Sequence, residues 1–257
     1  MKKYLWLLIL LCPFLVSAAI QPQHLRIISQ YNAGGADACS PRGTAALYWD
    51  GEWAADRDNA CVAAGQRNGT ATAGVINQDI GDHTTGTGWV ADLDATDEQI
   101  IWTESGEDIF NIEEGSLVVW VYVETEPTDY NCVFSADAGD SANRLWFCVR
   151  GSNDLYARWE TDDGVTSLLG NECTLDPAYD VTLDTWQKWE LEWTVAGSEI
   201  RLDLDDAGWC TCTDATSCTD ASKVTAVTPD PEIGGYTITN APLYVDDLWI
   251  WTSYGQT

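Results

Sequence analysis

The chain has 257 residues, 45% of them hydrophobic, and sets 41 aspartates and glutamates against 12 lysines and arginines for a formal charge of -29. So acidic a surface repels nucleic acid and anionic membranes, and it suits solubility, salt-rich surroundings or cation binding. The length lies within the range of one large all-β domain, so the chain is not divided further.

The first residues, MKKYLWLLILLCPFLVSAAI, carry two lysines, an apolar run from Tyr4 to Val16, and the small residues Ser17, Ala18 and Ala19. That is the layout of a secretory signal peptide over residues 1–19. The run is short for a membrane span and Pro13 interrupts it, so no membrane association is expected once the leader is removed. A short lysine-led leader has the bacterial form. The expected location is therefore secreted, extracellular or at the cell surface, with the periplasm as a further oxidising compartment. Residues 20–44 then form an N-terminal segment before a domain over 45–257.

The Ala-, Gly- and Thr-rich N-terminal third suggests strands at 45–49, 70–76, 88–93 and 99–102. Clearer strand patterns follow at 116–123 (SLVVWVYV), 131–135, 143–150 (NRLWFCVR), 155–160 (LYARWE), 187–194, 199–204 and 243–251 (LYVDDLWIW). Turn signals separate them and no 12-residue helical pattern intervenes, which predicts an antiparallel β-sandwich. Side chains two apart share one side of a strand. On that rule Leu145, Phe147, Val149, Leu155, Ala157, Trp159, Trp189, Leu191, Trp193, Ile200, Leu202 and Leu204 form the core. The opposite parity collects Trp146, Arg150, Tyr156, Arg158, Glu190, Glu192, Arg201, Asp203 and Asp205. This mixture of aromatics and charge is the candidate functional face.

Removal of the leader takes Cys12 with it and leaves eight of the nine cysteines. An even number in an oxidising compartment reads as disulfides. Cys132 and Cys148 lie symmetrically about the turn at 138–141, so a hairpin centred there sets them opposite each other. Cys39 with Cys61 is a local pairing, and Cys173, Cys210, Cys212 and Cys218 are left for two bridges of open connectivity. The run CTCTDATSC also fits a metal-thiolate site, although paired cysteines in a secreted chain favour disulfides. Asp162 with Asp163, Asp205 with Asp206, and Asp246 with Asp247 could give oxygen ligands to a structural calcium ion. None has the spacing of a dedicated calcium loop, and solvated turn charge is the simpler reading. Asn68-Gly69-Thr70 is a glycosylation sequon, which a bacterial leader makes irrelevant.

From about residue 45 to 254 the order of motifs is informative: ALYWDGEW, GWVADLDATDEQIIW, FNIEEGSLVVWVYVE, NRLWFCVRGSNDLYARWETDDG, LDTWQKWELEWTVAGSEIRLDLDD and the closing YVDDLWIW. Together they resemble the laminin-G-like and pentraxin-like domains of the concanavalin A-like lectin/glucanase superfamily. The resemblance implies a disulfide-stabilised two-sheet jelly roll, secreted or displayed, that commonly binds carbohydrate or serves in adhesion. Pentraxin-like members hold calcium in a loop before the closing strand. Here that place is EIGGYTITNAPLYVDD, with only Glu232 and Asn240 ahead of the final aspartates. Asp246 and Asp247 are then the remaining metal candidates.

The superfamily includes glucanases, which makes Glu190 and Glu192 a pair to test. Residues i and i+2 on a strand are roughly 6.6 Å apart, compatible with the ~5–9.5 Å between glycosidase carboxyl groups. The laminarinase-like glucanases it resembles use a third acid on the same strand, where this chain has Thr194. A general acid also needs a raised pKa, whereas Arg158 or Arg201 on neighbouring strands would lower that of either glutamate. His24 and His83 have no Ser or Cys motif nearby, and no phosphate loop or dinucleotide fingerprint is present. Sugar binding asks only for flat aromatic rings and hydrogen-bonding groups. Trp120, Trp146, Tyr156, Arg158, Glu190 and Glu192 are the candidates, against the alternative that such aromatics pack. The leading expectation is a secreted, non-catalytic module binding glycan or polysaccharide. An adhesive module contacting extracellular protein is the alternative, and a glycoside hydrolase the third.

Overall fold

The computed structural model describes residues 45–49, 69–71, 76–77, 80–84, 89–93, 98–103, 109–137, 144–151, 153–160, 166–168, 177–194, 196–197, 199–213, 230–234 and 242–257. Side chains at 76–77, 159–160, 166–168, 177 and 213 lie outside that description. The leader, the N-terminal segment, Cys39, Cys61, Cys173, Cys218, Asp162, Asp163 and Asn240 lie outside it as well.

The described strands form two antiparallel sheets. The first contains β1 (Leu47–Trp49), β3 (Ile76–Asn77), β4 (Val90–Asp92), β6 (Glu114–Val123), β11 (Trp186–Thr194), β12 (Glu199–Leu204), β13 (Cys210–Thr213) and β15 (Leu243–Trp251). Its order is β13-β12-β11-β6-β15-β4-β3, with β1 also paired to β15. The second contains β2 (Thr70–Ala71), β5 (Gln99–Ile101), β7 (Asn131–Asp137), β8 (Arg144–Arg150), β9 (Asp154–Glu160), β10 (Thr166–Leu168) and β14 (Pro231–Gly234), in the order β10-β9-β8-β7-β14-β5-β2. A 3-10 turn, Pro177–Tyr179, precedes β11. This is the expected all-β, two-sheet antiparallel sandwich.

Period-two alternation puts Leu117, Val119, Val121 and Val123 of β6 and Trp189, Leu191 and Trp193 of β11 inward against Leu145, Phe147 and Val149 of β8. All of the core residues read from parity are buried together, save Trp159, whose side chain is not described. Among the largest fully buried side chains are Trp49, Trp102, Trp189 and Trp193. An aromatic side chain of this kind removes ~150–250 Å² from water, which at about 25 cal/mol per Å² gives roughly 4–6 kcal/mol each.

Gly115 is required by a close approach. Gly115 pairs across from Trp193, and a Cβ there would lie 2.3 Å from the Trp193 ring. The ring fills the space that other residues give to a side chain, and its Nε1 donates to the Asn111 carbonyl at 3.0 Å.

Two bulges set which residues face out. On β15 the register shifts between Asp246 and Trp249, and Asp247 has a left-handed φ of 45°. The inward positions therefore run Leu243, Val245, then Leu248 and Ile250, and both aspartates are kept out of the core. On β7 the shift between Cys132 and Phe134 lets Val133 and Phe134 both enter the core while Cys132 turns outward onto Cys148. Those two cysteines form the expected disulfide. Cys210 and Cys212 are disulfide-bonded as well.

Three strands escaped the sequence reading: β10, β13 and β14 have no clean alternation of apolar and polar residues. The piece expected at 70–76 becomes two short strands in different sheets, since β2 pairs β5 and β3 pairs β4.

Candidate functional site

The six residues assigned by parity to one face do not share one. Trp146, Tyr156 and Arg158 lie on β8 and β9, on the outside of the seven-stranded sheet. Trp120, Glu190 and Glu192 lie on β6 and β11, on the outside of the eight-stranded sheet. Since stacked sheets are ~10 Å apart, the two groups stand on opposite outer surfaces of the sandwich. Parity says only "not core"; it does not say which of two outsides.

On the seven-stranded sheet the aromatics are covered. Trp146 and Tyr156 are each 2% exposed and pack with the Cys132–Cys148 disulfide, with Tyr130 against the cluster. The guanidinium groups of Arg144 and Arg158 lie 4.4 and 5.0 Å from the Trp146 ring centre, and Arg150 lies 5.5 Å from that of Tyr156. Burial, then Tyr130, pushes the Tyr156 hydroxyl well above its ordinary pKa, with Arg158 and Arg150 opposing. In this arrangement the two rings pack under arginines and cannot offer a face to a sugar.

The glutamates are also occupied. Glu192 is 0% exposed. Its Oε2 accepts from Arg201 Nε at 2.7 Å and from Arg201 Nη2. Its Oε1 accepts from Ser116 Oγ at 3.3 Å and from Thr257 Oγ1 at 2.7 Å. Arg201 is itself held between Trp209 and Tyr254, at 4.4 and 4.8 Å from their ring centres. Glu190 is 5% exposed and pairs with Lys188 Nζ at 3.2 Å. Burial raises its pKa; Lys188 opposes the rise, and Asp203 and Asp206 add to it. The expectation that arginine would lower both therefore fails for Glu190: its cation is Lys188, and burial outweighs it. A fully buried Glu192 beneath Arg201 and Thr257 has no route to a substrate, so these two carboxylates do not form a catalytic pair facing a common cleft.

The face that stays open is the other end of the same sheet. Two cross-strand rows form it: Tyr244, Tyr122 and Trp186 in one, and Asp246, Trp120 and Lys188 in the next. Trp120, Tyr122 and Trp186 are each half-buried. Tyr122 meets Trp186 edge-on at 5.7 Å and Tyr244 edge-on at 5.9 Å. Its hydroxyl donates to Asp184 at 3.3 Å, and that of Tyr244 donates to Glu124 at 3.4 Å. Among the described residues no ring is stacked on the flat face of Tyr122 or Trp186.

Trp120, by contrast, is capped. The His83 ring lies on it with centroids 4.3 Å apart and planes 13° from parallel, and meets Trp186 by its edge at 6.2 Å. His83 donates its backbone N–H to Asp246 Oδ2 at 3.0 Å, and its Nδ1 lies 2.7 Å from the same oxygen. Nε2 is 3.7 Å from Asp247 Oδ2, and Asp247 Oδ1 accepts from Tyr48 at 3.0 Å. Burial alone would lower the His83 pKa, but the hydrogen bond to Asp246 and the charges of Asp246, Asp247 and Asp82 outweigh it and leave it raised. Asp246 and Asp247, the metal candidates, thus spend these oxygens on His83 and Tyr48. Among the described residues no group of three acidic, histidine or cysteine side chains is placed to hold a metal ion.

Sequence reasoning missed Tyr122, Trp186, Asp184 and His83. Tyr122 has the parity of Trp120, and Trp186 that of Glu190, so both were within reach. His83 was not, because it comes from a segment distant in sequence.

No protein-family model matches the sequence, and no curated protein sequence does. The fold does match solved structures. One is the botulinum neurotoxin serotype D binding domain, with 13% identity and a TM-score of 0.53 over 83% of this chain and 49% of that one. A second is the serotype D ligand binding domain in complex with N-acetylneuraminic acid, at 11% identity and a TM-score of 0.50 over 83% of this chain and 48% of the other. A third is described with the finding that cell entry of botulinum neurotoxin type C depends on interaction with two ganglioside molecules, at 11% identity and a TM-score of 0.51, again over 83% and 49%. This chain spans about half the length of those binding domains. At such identity the likeness is one of fold alone: a two-sheet antiparallel sandwich.

Proposed function

We propose that this chain is a secreted, non-catalytic lectin-like module that binds glycan on the outer face of the eight-stranded sheet. The observation that carries this reading is the Tyr122–Trp186 pair, two half-buried rings that meet edge to face with no ring stacked on either among the described residues, beside the carboxylate of Asp184. A sugar ring presents a C–H face that packs on an aromatic plane and equatorial hydroxyls that hydrogen-bond at its edge. This floor and rim offer both.

Several features support the reading. The leader-like N-terminus and the disulfides suit an extracellular setting, and the neighbouring folds are receptor-binding domains, two of them described with sialic acid or gangliosides. The laminin-G-like resemblance belongs to the same proposal. The test is retention of the oxidised protein on an immobilised glycan and polysaccharide panel, with and without chelator, while soluble reducing sugar is measured. Retention without sugar release, lost on Trp186→Ala, is the expected result. Absence of retention on every glycan overturns the reading in favour of a protein-contacting module, and release of sugar overturns its non-catalytic part.

A further inference from the structure

We infer that the sugar accepted on the Tyr122–Trp186 floor is uncharged, and that acidic sugars are rejected there; this rests on the glycan-binding reading above. Recognition of a sugar carboxylate needs a cation with capacity to spare. Among the described residues this outer sheet face has three cationic or ionisable basic groups, and each is already committed to acid. Lys188 Nζ lies 3.2 Å from Glu190 and 2.6 Å from Asp206. Arg201 is bound by buried Glu192. His83 is held by Asp246, with Asp247 at 3.7 Å.

What the rim does present is acceptors. The hydroxyls of Tyr122 and Tyr244 donate to Asp184 and Glu124, both exposed, and an ionised carboxylate can accept more than one hydrogen bond. Burial, then Asp184 and Glu124, pushes the Tyr122 hydroxyl above its ordinary value, as a locally negative potential requires. Carboxylates accept hydrogen bonds from sugar hydroxyls, and such charge-assisted bonds are about twice as strong as neutral ones. A sugar carboxylate in the same place would meet like charge and, among the described residues, no uncommitted cation, on a chain whose formal charge is -29.

The experiment uses paired neutral and acidic probes: immobilised lactose against 3′-sialyllactose, and galactan against polygalacturonate, together with uncharged glucan and xylan. The oxidised full chain is passed over each at low and high salt, beside Trp186→Ala. The expected result is retention on at least one uncharged glycan, unchanged by salt and weakened at least about tenfold in Trp186→Ala, with no retention on its acidic partner. Retention on sialyllactose or polygalacturonate, lost in Trp186→Ala, overturns this inference while leaving glycan binding intact. Retention on none of the probes overturns both.

Discussion

His83 lies flat on Trp120 while its Nδ1 sits 2.7 Å from Asp246, so one imidazole both covers an indole and satisfies a carboxylate that is 3% exposed. Its raised pKa has a definite thermodynamic sign. A group that binds its proton more tightly in the folded chain contributes stability that is complete below its unfolded value, about 6.5. That contribution is lost as pH rises through the higher folded value. Denaturation midpoints should therefore fall as pH rises above about 6.5. His83→Phe keeps a ring on Trp120 but cannot titrate, and its midpoint should lack that component.

Glu232 provides a second pH dependence on the other sheet. It is hydrogen-bonded by Ser135. Burial pushes its pKa from an ordinary 4.5 up to about 7; the Ser135 hydrogen bond opposes the rise, and Asp137 and Asp230 reinforce it. Because the folded value is the higher one, its contribution is whole below pH 4.5 and is lost between there and about 7. Glu232→Gln should flatten stability across that interval, and chemical denaturation at pH 4.5, 6 and 8 tests the difference.

The aromatics should separate by face. Trp186→Ala is expected to leave the thermal midpoint nearly unchanged and to weaken glycan retention by roughly tenfold, about 1.4 kcal/mol. Trp146→Ala should do the reverse: loss of a buried indole costs ~3–5 kcal/mol, with retention of the folded fraction intact. Thermal denaturation and affinity retention, measured on both variants, check the assignment.

Arg201→Met is expected to be among the costliest substitutions on the outer surface. It strands Glu192 at 0% exposure without its cation, and breaking a buried pair from one side costs ~3–5 kcal/mol. Restoring neutrality with Arg201→Met and Glu192→Leu together should recover a large part of that loss. A double-mutant cycle by urea denaturation is the measurement.

Much of the sandwich was legible because alternation is a local signal. The strands at 199–204 and 243–251 were read with their observed ends, and Leu145, Trp189 and Leu202 were placed in the core. Alternation fails where strands are short or irregular, as in β10, β13 and β14. It also leaves the site half-legible. Trp120 was read onto an outer face without the His83 that covers it, because that contact spans distant parts of the chain. Trp146 was read onto an outer face with ligand contact and packing both open, because nothing in NRLWFCVR shows that Arg144 and Arg158 both lie against its ring.

The doublet Asp246-Asp247 adds one residue to the rhythm of the closing strand. Before it the inward positions are odd-numbered, Leu243 and Val245; after it they are even-numbered, Leu248 and Ile250. Regular alternation carried through both aspartates, with no bulge, would leave the sequence unchanged yet turn the second half of β15 inside out. Leu248 and Ile250 would be cast to the surface, and the bulky Trp249 and Trp251 driven into a core already filled by Trp49 and Trp193. The strand's partition between interior and exterior thus depends on a residue that belongs to neither.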